Sequence, residues 1–99
     1  MVRINWTKLA VSDLKNIYEF ITKDSKRYAI MQIVRIKSST RILAQFPHAG
    51  KIITEIKQGD FREIIEGNYR IIYKIISPKR IDIITIHHSA RDLTKRKIK

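Results

Sequence analysis

The chain has 99 residues, 43% of them hydrophobic, with three glycines, two prolines and no cysteine. That suffices for one core and not for two, and it excludes disulfides, thiolate metal sites and a low-complexity chain. Twenty-one Lys and Arg against nine Asp and Glu leave a formal net charge of +12, which favours a polyanionic or acidic partner over a basic or uncharged one.

The excess is not a tail effect. Residues 1–50 carry nine basic and three acidic groups and residues 51–99 carry twelve and six. The last stretch, 94–99, is nevertheless rich in Lys and Arg and is expected to be a mobile basic end. No apolar run approaches the roughly 20 residues of a membrane span, and the first residues lack the apolar core of a secretory leader. A cytoplasmic protein with no membrane partner is the expectation.

Val2, Ile4 and Trp6 alternate with polar residues, the period of a short half-buried strand. Thr7 is a suitable N-cap for a helix whose apolar face is Ala10, Leu14, Ile17 and Ile21, running to about Lys23. Asp24 and Ser25 interrupt it and offer a second cap. Ala29, Ile33, Ile36, Thr40 and Leu43 continue at helical spacing until Pro47 and Gly50 stop the second helix near Phe46. So short a link predicts an antiparallel helical hairpin.

Beyond Gly50 the β-branched runs 52–56, 61–65, 71–76 and 81–86 predict strands. Gly59-Asp60, Gly67-Asn68 and Ser77-Pro78-Lys79 punctuate them as tight turns. The expected fold is therefore α+β: a single domain over 1–99 with an N-terminal strand, a helical hairpin and a four-stranded antiparallel meander. The hairpin should cover one sheet face and leave the other open to an anionic ligand.

Five motifs follow one another at compatible spacing: Trp6, Ala10 and Asp13-Leu14; Leu43, Phe46-Pro47 and Gly50-Lys51; Phe61-Arg62-Glu63-Ile64; Asn68-Tyr69-Arg70-Ile71-Ile72-Tyr73; and His87-His88-Ser89-Ala90-Arg91-Asp92-Leu93. The series resembles the RelE/ParE toxin superfamily of toxin–antitoxin and plasmid stabilisation systems, over almost the whole chain. The resemblance implies a cytosolic toxin neutralised by a small acidic antitoxin. It also implies one of two activities: ribosome-dependent mRNA cleavage as in RelE-like members, or inhibition of DNA gyrase by protein contact as in ParE-like members. A nucleic-acid-binding module without toxicity would need only the charge.

An mRNA endonuclease of this kind needs a base, an acid and fixed cations, and no metal or cofactor. Arg70 is the leading candidate for phosphate stabilisation, the alternative being an ion pair with Glu63 or Glu66. Arg62 has the same two readings. His88 is the acid or base candidate by its place after the Tyr69–Tyr73 strand, or else a hydrogen-bonded strand-end histidine. His87 and His88 must point to opposite faces, so at most one accompanies Arg70; without a third ligand they make a poor zinc pair. Glu55 is a candidate base. Lys51, Lys57 and Arg91 are candidate RNA contacts, with Arg91 also able to pair with Asp92. Ser89 stands where the Glu/Arg/His branch has a tyrosine, and Lys51 and Lys57 match the lysine-rich RelE site only in part. With Arg62, Arg70 and His88 on nearby strands, the residue set leans towards mRNA cleavage.

Overall fold

A computed structural model describes residues 1–88. Strand β1 (Arg3–Trp6) leads into helices α1 (Lys8–Thr22) and α2 (Lys26–Thr40), a 3-10 turn (Arg41–Ala44), and strands β2 (Lys51–Ile52), β3 (Asp60–Glu66), β4 (Tyr69–Ser77) and β5 (Arg80–His88). Both predicted caps form. The Thr7 hydroxyl oxygen accepts the Ala10 N–H at 3.1 Å and that of Ser25 accepts the Tyr28 N–H at 3.1 Å. Thr7 also donates to the Ile83 carbonyl at 2.8 Å, tying the start of α1 to β5.

The sheet has five strands in the order β1-β5-β4-β3-β2. Strands β2 to β5 are the antiparallel meander, and β1 lies parallel to β5 at the far edge. Gly67 takes φ of 59° as the first residue of the two-residue β3–β4 loop, while Asn68 stays at negative φ, the pattern of a type II′ hairpin. The helices cover one face. Ala10, Leu14, Ile36 and Leu43 pack there on Ile71, Tyr73, Ile81, Ile83 and Ile86, and burial of this apolar area is the main force holding the layers together.

Two expectations shift in detail. The second helix does not run unbroken to Phe46. Ser39 and Thr40 turn their hydroxyls back onto the Ile36 and Lys37 carbonyls, at 2.9 and 2.7 Å, and the chain tightens into the 3-10 turn that sends Leu43 fully into the core. The strand expected over 52–56 shrinks to Lys51–Ile52. After one more bond, Ile53 N–H to the Phe61 carbonyl at 3.0 Å, the chain leaves the sheet edge. Ile53 and Ile56 fold down onto Phe61, Ile72 and Ile84. The face away from the helices is thus partly roofed by its own connection, because two isoleucines gain more by burial than by continuing an edge ladder.

No helix among the described residues is long and apolar enough to cross a membrane.

Candidate functional site

Strand register decides which predicted site residues meet. Arg70 pairs with Ile65 of β3 and His87 of β5, while Tyr69 pairs with His88. Directly opposed residues share a face, so Arg70 and His87 lie on the side away from the helices. Tyr69 and His88 lie on the helix side, their rings edge-on with centroids 5.7 Å apart. His88 there borders a cleft with Asp13, Asn16 and Phe20 of α1. The hairpin closed by Ser77 and Arg80 sets this register together with the two shifts that follow it, one between Ile75 and Ser77 and one between Ile72 and Tyr73.

The Arg70 guanidinium is already engaged. Its Nε donates to Glu63 at 2.5 Å and a terminal nitrogen completes the ion pair with the same carboxylate. Glu55, half exposed on the roofing segment, brings a second carboxylate to 3.9 Å. Both Arg70 and Glu63 have side chains only 15% exposed, so this is a largely desolvated pair. His87, at 2% exposure, is buried beside it.

Arg62 is on the other face, opposite Tyr73. It donates to Asp60 at 2.9 Å, and one terminal nitrogen donates to the His48 and Gly50 carbonyls at 3.2 and 3.1 Å. It therefore clasps the loop leading into β2. Tyr73 works on the same loop: its hydroxyl donates to the Pro47 carbonyl at 2.7 Å and accepts the Gly50 N–H at 2.9 Å. Burial raises the Tyr73 phenol above its ordinary pKa, outweighing the Gly50 hydrogen bond and the nearby Arg62 charge that pull it down. Lys51 and Lys57 are exposed on β2 and the roofing segment. Arg91 lies outside the described residues, as do Ser89 and the basic end 94–99.

The Arg70, Glu63 and Glu55 cluster is thus brought together with His87, whereas Arg62 and His88 are both turned to the helix side. Sequence reasoning missed the roles of Asp13 and Tyr73. Asp13 is 7% exposed on α1, accepts the Ile86 N–H at 3.0 Å and also takes the Thr85 hydroxyl. Ile84 and Thr85 form a bulge between the pairs Ile72–Thr85 and Tyr73–Ile83, and this carboxylate holds the Thr85 hydroxyl and the adjacent Ile86 N–H. A signal existed: Asp13 sits within the apolar stripe of α1, beside Ala10, Leu14 and Ile17. Tyr73 has no comparable signal, since a strand tyrosine on the core side reads as simple packing.

Among the described residues no group of three or more His, Asp or Glu could hold a metal ion. The arrangement holds the Arg70 guanidinium among carboxylates and clasps the loop before β2.

Comparison with known proteins bears directly on this chain. A protein from Caulobacter vibrioides named toxin RelE2 is 28% identical over 91 residues, spanning 92% of this chain and 99% of the relative. The solved structure of a chromosomal ParDE toxin–antitoxin system from P. aeruginosa shares the fold, with a TM-score of 0.73 at 21% identity over 89% of this chain and 96% of that one. The family model for the ParE toxin of the type II parDE toxin–antitoxin system matches residues 4–93. The chain belongs to that ParE toxin family, within the RelE/ParE superfamily, and is the toxin of a type II toxin–antitoxin pair.

Proposed function

We propose that this toxin arrests growth by gripping a protein target of the DNA gyrase kind, in the cytoplasm, and does not cut RNA with its own side chains. The observation that carries the reading is the state of Arg70. Its charge is met by Glu63 and approached by Glu55, so a phosphate approaching it would have to compete with a carboxylate already paired there. Cleavage needs base, acid and cation gathered around a single phosphate. Arg62 is committed to the loop carbonyls and His88 lies across the sheet from Arg70. A metal-independent endoribonuclease site built from Arg70, Arg62, His88 and Glu55 therefore receives little geometric support. The +12 charge serves the other partner of such a system, an acidic antitoxin, by drawing it in.

One observation favours mRNA cleavage as a second reading: Arg70, Glu63, Glu55 and His87 gather on one face. In that case His87 takes the role expected of His88, and Lys51 and Lys57 remain available for RNA.

The two readings separate in paired assays of wild-type protein and Arg70→Ala. One is primer extension on a reporter mRNA in a translating extract, and the other is gyrase supercoiling. Intact mRNA with supercoiling blocked by both proteins is the expected result. Ribosome-dependent cuts that disappear in Arg70→Ala would overturn it.

A further inference from the structure

From residue 25 to residue 54 the chain contains no Asp or Glu, while Lys26, Arg27, Arg35, Lys37, Arg41 and Lys51 fall within it. This acid-free stretch is α2, the 3-10 turn, the following loop and β2, and all six cations are exposed. The inner side of α2 is used up in the fold: Ala29, Gln32, Ile36 and Thr40 are buried.

Its outer side is not the polar face of a solvated helix. Ile30, Met31, Val34, Ile42 and Phe46 are 47, 40, 57, 51 and 59% exposed. Ile30, Val34, Ser38, Ile42 and Phe46 recur at every fourth position, so each neighbours the next while the row winds by about 40° per step around the helix. The Phe46 N–H bonds the Ile42 carbonyl at 2.9 Å and carries the helical path past Ala44. At a helical rise, the stripe from Ile30 to Phe46 extends about 24 Å. Phe46 at its end is held firmly, because the next residues are pinned by Tyr73 and Arg62.

We propose that this stripe is the surface with which the toxin grips its target, and that the target presents an acidic surface with an apolar cleft receiving Met31, Val34, Ile42 and Phe46. The proposal rests on the protein-contact reading above. Phe, Met and Arg are enriched at the cores of protein interfaces, and Arg among their hot spots. Nucleic acid would match the cations but leave the aliphatic stripe unburied, and a second copy would set cation against cation. A poison acting by contact also needs a surface already formed in the free toxin, and a packed helix ending in a clasped loop supplies one without an ordering cost.

The test uses the purified full chain as wild type, Phe46→Ala and the charge reversal Arg35→Glu/Arg41→Glu. Gyrase supercoiling and binding to the purified cognate antitoxin are measured side by side, with circular dichroism and melting as fold controls. These positions are exposed, so all proteins should fold alike. Each variant should need at least about tenfold more toxin for half-inhibition, and wild-type inhibition should weaken as salt shortens the screening length to a few ångströms. Antitoxin binding should persist. Variants that inhibit gyrase like the wild type would overturn the surface and leave the protein-contact reading standing. Loss of antitoxin binding with gyrase inhibition intact would also overturn it, assigning the stripe to the antitoxin. A wild-type toxin that leaves supercoiling untouched sinks the underlying reading, and the proposal falls with it.

Discussion

Tyr73 and Gly50 are built around each other. A Cβ on Gly50 would lie 2.5 Å from the Tyr73 hydroxyl oxygen and 2.8 Å from the Glu63 carbonyl oxygen. The constraint is space and not backbone strain, since positive φ occurs only at Gly59 and Gly67 among the glycines. The close approach lets one buried hydroxyl serve both Gly50 and Pro47.

Gly50→Ala should therefore destabilise the protein by about 1–3 kcal/mol through overpacking. Tyr73→Phe should cost about 1–3 kcal/mol by stranding a buried N–H and a carbonyl. The two should fall short of adding, because removing the hydroxyl relieves one of the close contacts that the methyl meets, while the Tyr73 ring carbon at 2.6 Å and the Glu63 carbonyl remain. Urea unfolding of both single variants and the double variant checks this; strict additivity would mean the loop relaxes independently of Tyr73.

Asp13 holds the β5 bulge against α1. Asp13→Ala removes the acceptor of the Thr85 hydroxyl and the Ile86 N–H, with an expected loss of about 2–4 kcal/mol, as two buried donors lose their partner. Asp13→Asn keeps one acceptor oxygen and should lose clearly less. Hydrogen exchange at Ile86 is the local readout: its amide should exchange faster in Asp13→Ala than amides in the middle of β4. Uniform acceleration across the sheet would place the effect in global stability alone.

The Arg70–Glu63 pair should behave as a unit. Removing Arg70 alone leaves a carboxylate with a 15% exposed side chain that has lost its ion-pair partner, whereas removing both charges leaves nothing to satisfy. A double-mutant cycle with Arg70→Ala and Glu63→Gln should give a coupling of about 1–3 kcal/mol. A coupling near zero would show that Arg70 is not held by Glu63 in solution and is free for an anionic ligand.

The acid limb of stability should run through Asp82. Burial alone would raise its carboxyl, but hydrogen bonds from Arg80 and Asn5 and the charges of Arg80 and Arg3 outweigh it and bring the pKa below the ordinary value. A depressed carboxyl contributes stability that is complete above its unfolded pKa, about 4, and is lost as pH falls through the folded one. Melting temperatures of wild type and Asp82→Asn should differ at neutral pH and converge in acid below about pH 4. A difference that stays constant down to low pH would assign the effect to packing.

Local sequence was enough for the element order, both N-caps, the β3–β4 and β4–β5 hairpin turns and the α+β class. Those features are written in local periodicity and in residues such as Thr7, Ser25 and Gly67, whose effects reach only a few positions. The tight turn expected at Gly59-Asp60 is instead the end of the long connection from β2, with Asp60 already in β3. The five ordered motifs made the family legible in the same way. Tertiary structure alone decided which chemistry meets. Whether Arg70 faces His87 or His88 turns on a register that one residue of slip would reverse. Whether its charge is free depends on Glu63 of the neighbouring strand and Glu55 of a connection that folds onto the sheet and does not extend it. The same holds for β1, whose alternation marks a strand but not its place beside β5. Spacing along a chain encodes faces of single elements; the pairing of faces is a global minimum of burial and hydrogen bonding, reached only when all the strands are in place.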